Sequence, residues 1–119
     1  MTDRADSHLP LAPSVFHVLL ALADGEKHGY AVMKEIRTRT GGAISLGAST
    51  LYGIVKRLVE DGLIEESSER PDPALDDERR RYYGLTELGR AVAVAESRRL
   101  EATLGIARAK RLIPSPRTR

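Results

Sequence analysis

The chain contains no cysteine and no tryptophan, and only five of its 119 residues are aromatic: Phe16, Tyr30, Tyr52, Tyr82 and Tyr83. Without cysteine there is no disulfide, no thiolate nucleophile and no zinc site of the cysteine type. With so few rings the core must be aliphatic, and the lack of tryptophan argues against a stacking pocket for flat aromatic compounds. Long hydrophobic runs are missing as well. The longest, Val18 to Ala23, is far shorter than the ~20 residues needed to span a bilayer. No basic region followed by an apolar run opens the chain, so a cytoplasmic protein without membrane attachment is expected. Signs of chemistry are equally scarce. There is no glycine-rich phosphate loop, no serine–histidine–acid arrangement and no carboxylate dyad, and His8, His17 and His28 lack ligand-like spacing. No enzyme, metal or cofactor is expected.

An excess of one charge is also absent, since the formal net charge is +2. That near-balance conceals two opposed regions. From Gly89 to Arg119 eight basic residues face only Glu96 and Glu101, giving +6, whereas residues 1–88 carry eleven basic and fifteen acidic groups, giving −4. Bulk basicity therefore says little about nucleic acid, and the positions of individual charges must decide. What is present, 41% hydrophobic and 30% charged residues, suits one globular domain with a modest core.

Residues 1–10 are polar and mixed and read as a flexible arm. Pro13 and Ser14 open a strongly apolar helical segment containing Val15, Phe16, Val18, Leu19, Leu20 and Leu22, which Asp24-Gly25-Glu26 ends. A second helix is predicted over about 28–39, with Ala31, Val32 and Ile36 on one face, stopped by Gly41-Gly42. A third runs from about Ala48 to Asp61 and ends at Gly62. Leu63 to Ser68 and Arg80 to Leu85 read as two strands of a hairpin around an acidic loop over 69–78. Thr86 and Glu87 open a long helix reaching about Arg111, followed by a tail from 113. Three helices, a hairpin and a long helix predict a mainly α fold, a winged helix-turn-helix over 11–85 with a C-terminal helix over 86–112.

At 100° per residue, Leu51, Val55 and Leu58 share the core face of the third helix. Ser49, Gly53, Lys56 and Glu60 lie opposite, with Tyr52 and Arg57 on the flanks. A helix that enters the major groove needs that distribution: small polar residues near base edges at its N-terminal end, cations for phosphates further along. Ser49 and Thr50 suit bases or backbone oxygens, Lys56 and Arg57 suit phosphates, and Tyr52 can offer its hydroxyl while its ring packs. Gly53 costs roughly 0.5–1 kcal/mol against alanine in a helix, a cost that close approach of another backbone would explain. On the second strand, Arg79 and Arg81 share one face and are expected to reach DNA, the rival being neutralisation by the neighbouring acids. Tyr83 and Leu85 should face the core. Tyr30 is expected to pack under the second helix with its hydroxyl near the DNA backbone. In the last helix, Leu88, Val92, Ala95, Leu100, Leu104 and Ala107 continue apolar beyond what the domain can cover, which predicts a homodimer.

Several short runs carry a family resemblance: His28-Gly29-Tyr30, Thr40-Gly41-Gly42, Thr50-Leu51-Tyr52, Lys56-Arg57-Leu58, Glu60-Asp61-Gly62-Leu63-Ile64, Arg81-Tyr82-Tyr83 and Leu85-Thr86-Glu87-Leu88-Gly89. In this order and spacing, over about residues 9–92, the chain resembles PadR-type transcriptional regulators. The resemblance implies a homodimer joined through the C-terminal helix and a recognition helix opened by the Leu-Tyr run. It also implies a repressor that binds double-stranded DNA at a pseudo-palindromic operator and is released by a small-molecule effector. Gly53 and Gly84 depart from the family, which usually has proline and a basic or polar residue there. The competing expectation is a winged-helix adaptor that binds protein instead of DNA, favoured by the acidic balance of residues 1–88.

Overall fold

The computed structural model describes residues 2–67 and 81–114. Met1, Ser68, the acidic loop with Arg79 and Arg80, and the tail from 115 lie outside the described residues. The elements are α1 (Thr2–Asp6), α2 (Pro13–Ala21), β1 (Lys27–His28), α3 (Gly29–Arg39), α4 (Ala48–Glu60), β2 (Ile64–Ser67), β3 (Tyr82–Leu85) and α5 (Glu87–Ala109). Among the described residues no helix is long and apolar enough to cross a membrane.

Helix ends follow the local chemistry. Pro13 occupies the first turn of α2, where its missing N–H costs nothing. His28 caps α3, its Nδ1 accepting the Ala31 N–H at 3.2 Å. Thr40 fixes the turn into α4: its hydroxyl donates to the Ile36 carbonyl at 2.8 Å and accepts the Ile44 N–H at 3.0 Å. At the far end of α4, Gly62 takes φ +79°. The Leu63 N–H returns to the Leu58 carbonyl and the Gly62 N–H to that of Val59, a left-handed cap that suits glycine.

The core is aliphatic, as the shortage of rings requires. Val18, Leu19, Leu22, Val32, Ile36, Leu51, Val55, Leu58, Leu63, Ile64 and Val92 are buried, and Tyr83 is the one aromatic residue among the buried core residues. The expected two-stranded hairpin proves to be a three-stranded antiparallel sheet, ordered β1-β3-β2. Lys27 pairs with Tyr83 and His28 with Tyr82 on one side of β3, and Glu66 pairs with Tyr83 on the other. A strand of two residues has no alternation to read, so β1 arises from tertiary pairing alone.

The N-terminal segment also departs from expectation. In place of a loose arm, residues Thr2–Asp6 form α1, which packs against α5 and leaves Ala5 4% exposed. Five residues make no stable helix alone; the surplus length of α5 supplies the surface. Leu9 and Leu11 follow it onto the core, and the Leu11 N–H donates to Glu96 Oε2 at 3.0 Å. Glu96 is buried, and Arg99 grips its two oxygens at 2.6 and 3.0 Å. Arg99 and the Leu11 N–H hold the Glu96 carboxyl below its ordinary value of 4.5 against the opposing effect of burial. The charged form therefore stabilises the fold above that value, and the contribution disappears as pH falls through the lowered native pKa. Glu96→Gln should melt below the wild type at pH 7, with the gap closing as pH falls below 4.5 and through the lowered native value. A gap unchanged on acidification, followed by circular dichroism, would assign the stabilisation to some other group.

Candidate nucleic-acid interface

Helix α4 is positioned by its own core stripe, with Leu51, Val55 and Leu58 at most 5% exposed. The opposite side lies open as the periodicity requires, with Ser49, Gly53, Lys56 and Glu60 exposed, and Thr50 and Arg57 are exposed beside it. An ideal Cβ at Gly53 would meet nothing within 4 Å, so nothing inside the protein demands glycine there.

Two tyrosines differ from expectation. The Tyr52 ring is half-buried and lies over Gly29 at the start of α3. A Cβ at position 29 would stand 2.7 Å from Tyr52 Cζ, so the ring joins the two helices, with its hydroxyl turned to Gly29 and not offered outward. Tyr30, expected beneath the second helix, is instead 61% exposed and stacks on His28 with ring centroids 6.3 Å apart. His28 in turn meets the edge of Tyr82 at 5.5 Å. Gly29 makes room for Tyr52, and one helical step of 100° carries the next side chain away from that contact. Tyr30 thus remains available to a partner, but from the surface of α3.

The sheet flanks α4 on the other side. Tyr83 lies on its buried face, where burial first and the nearby Glu66 second push the phenol above its usual value of 10.0. Arg81 is near Glu66, Nε to Oε2 at 3.2 Å. Arg81 is thus neutralised by a residue on the neighbouring strand, while the loop acids lie outside the described residues. Arg79 lies outside the described residues. Sequence reading passed over Glu66, although an arginine and a glutamate on adjacent strands are a readable signal. On the far flank of α4 a groove of about 510 Å³ runs along Ser49, Thr50, Gly53, Ile54 and Arg57, with Leu11 and Val15 facing them.

The apolar stripe expected for dimerisation divides in two. Val92 is fully buried in the chain's own core, and Leu88 and Ala95 pack partly against it. These three serve the monomer, a correction with a plain cause: the first half of α5 packs against the chain's own elements, α2 and β3 among them, before the helix runs on. Leu100 and Ala107 are half-buried, Leu104 is 46% exposed, and Ile106, which the stripe did not include, is 60% exposed. Among the described residues no group of three or more His, Asp or Glu could hold a metal ion.

Helices α2, α3 and α4, the sheet behind them and a long terminal helix make up a winged helix-turn-helix protein. The chain belongs to the PadR-like family of transcriptional regulators, whose family model matches residues 18–95. An uncharacterized protein from Lysinibacillus sphaericus is 30% identical over 74 residues, 62% of this chain and 65% of that protein. The chain thus spans just under two thirds of the length of this curated relative. A transcriptional regulator from Clostridium thermocellum superposes with TM-score 0.65 at 25% identity, covering 80% of this chain and 89% of that one. RosR of H. salinarum gives 0.62 at 26%, covering 82% and 78%. Bacillus subtilis PadR, solved in complex with operator DNA, gives 0.58 at 19%, covering 91% of this chain and 52% of that one, a likeness of fold.

Proposed function

We propose that this regulator binds duplex DNA as a homodimer and reads a pseudo-palindromic operator with the N-terminal half of α4. The observation that carries the reading is the outward face of that helix: small polar Ser49 and Thr50 at the leading end, Gly53 with open space above it, then Lys56 and Arg57, all exposed. A mid-helix glycine with no internal cause suits a surface that another backbone approaches closely. Arg81 and Tyr30 flank α4 as phosphate contacts, and Arg79 is assigned the same role from its sequence position. Tyr52 acts by fixing α4 to α3. The operator-bound B. subtilis PadR shares the fold and lends the reading support. Repression of the controlled genes, and release by a small molecule, complete it. The groove beside Thr50 and Arg57 is where such a molecule would reach the recognition helix.

Ser49→Leu and Thr50→Leu test the docking. Either should weaken operator binding at least tenfold by blocking base edges, about the 1–3 kcal/mol that a base contact is worth. Thermal stability should hold, since both residues are exposed. Unchanged affinity in both would exclude this end of α4 from the groove. Lys56→Ala should weaken specific and non-specific duplexes alike and reduce the salt slope by about 1. Altered sequence preference at an unchanged slope would instead give Lys56 a base contact.

A further inference from the structure

The cleft between α4 and the sheet is lined by Lys56 and Arg81, and also by Glu60 and Glu66, beside Tyr52 and Tyr83. Two cations suited to phosphates thus share their surface with two carboxylates. The closest approach is Glu66 Oε2 to Arg81 Nε at 3.2 Å, with the two side chains 41% and 49% exposed. Register sets this contact. Glu66 sits opposite Tyr83, on the sheet face that looks toward α4, whereas Glu65 sits opposite Gly84 and points to the other face. A pair this open to solvent contributes little to folding, so the fold gives no strong reason for a glutamate there.

We propose that Glu66 is an internal competitor of DNA for Arg81. In the free protein it holds the guanidinium along the wall of the cleft, and a phosphate gains that contact only by displacing the carboxylate. The penalty is the same for every sequence. Duplexes that add base contacts from the leading end of α4 bind tightly in spite of it, whereas random DNA is weakened with nothing to offset the loss. This inference rests on the DNA-binding reading above.

The test uses the full chain and the fluorescence anisotropy of a labelled random-sequence duplex across a salt series. Glu66→Gln and the control Glu65→Gln each remove one negative charge from the same strand, on opposite faces. Glu66→Gln should tighten binding about two- to fivefold more than Glu65→Gln, the range of an exposed ion pair, and steepen the salt slope by up to about 1. In an Arg81→Ala background the two substitutions should become equivalent. Equal effects of both in the wild-type background, or the full Glu66→Gln gain persisting without Arg81, would overturn the proposal while leaving DNA binding intact. Failure of the wild type to bind any duplex at low salt would overturn the DNA-binding reading, and this inference with it.

Discussion

Gly89→Ala should destabilise the fold by about 1–3 kcal/mol, the usual cost of overfilling a packed site, and lower the melting temperature by on the order of 10 °C. Helix propensity alone predicts the opposite sign, because alanine is the better helix former by about 1 kcal/mol. Geometry decides the outcome. A Cβ at 89 would run into the Leu63 carbonyl oxygen, with the carbonyl carbon only 2.8 Å away. That carbonyl cannot move freely, because it accepts the Thr86 N–H at 3.1 Å. The Thr86 hydroxyl in turn donates to the Gly62 carbonyl at 2.6 Å and accepts the Gly89 N–H at 3.0 Å. The start of α5 is therefore locked onto the end of α4 through backbone on both sides. Gly105, on the same helix, would meet nothing within 4 Å. Gly105→Ala should be neutral or stabilising by up to about 1 kcal/mol. Paired melting curves test both; a stabilised Gly89→Ala protein would disprove the lock.

The double substitution Leu104→Glu with Ile106→Glu should give a folded monomer whose operator affinity falls at least about 100-fold, the scale set by losing one of two linked binding modules. Helix α5 has 23 residues, about 35 Å at 1.5 Å per residue, and only its first half lies over the chain's own core. Past that point Leu104 and Ile106 remain 46% and 60% exposed. Two residues apart on a helix they point to opposite flanks, so α5 offers apolar groups on both sides, as a helix packed between partner elements would. Leu104 continues the flank of Leu100 and Ala107; Ile106 lies with Ala95 and Ala102 on the other. Glutamate is tolerated in helices, and neither residue belongs to the buried core, so the winged domain should melt as before. Light scattering at micromolar concentration reads the outcome. A monomeric wild type would remove both the interface and the inferred operator symmetry.

Which parts of this could be read from sequence follows from the range of the interactions involved. Helix α4 was legible in full, because its stripe of Leu51, Val55 and Leu58 and its terminal Gly62 are local signals. Three helices, two strands and a long last helix followed from the same kind of pattern. What escaped depends on residues distant in the chain. Strand β1 exists because β3 accepts it, and α1 because α5 extends far enough to receive it. Val92 was placed on an interface since a helical stripe does not say which surface covers it. Glu96 enters the charge balance like any other carboxylate, although its position four residues after Val92 and three before Arg99 marks a carboxylate on the inner face with a partner at hand. At the candidate interface, exposure of Ser49, Gly53, Lys56 and Glu60 follows from periodicity. The orientation of Tyr52 did not, because it depends on the space left by Gly29 on another helix, and that of Tyr30 did not, because it depends on which face of α3 Gly29 turns to Tyr52.

The central claim, recognition of duplex DNA by a dimer through α4, is tested most directly by hydroxyl-radical footprinting of the purified protein on DNA flanking its own gene, with unrelated duplex in excess. The account predicts protection over two similar half-sites centred one helical turn apart, about 34–36 Å, resistant to competitor and lost in Ser49→Leu. Absence of any protected site, with the same weak binding to all duplexes, would contradict it and favour an adaptor that engages protein.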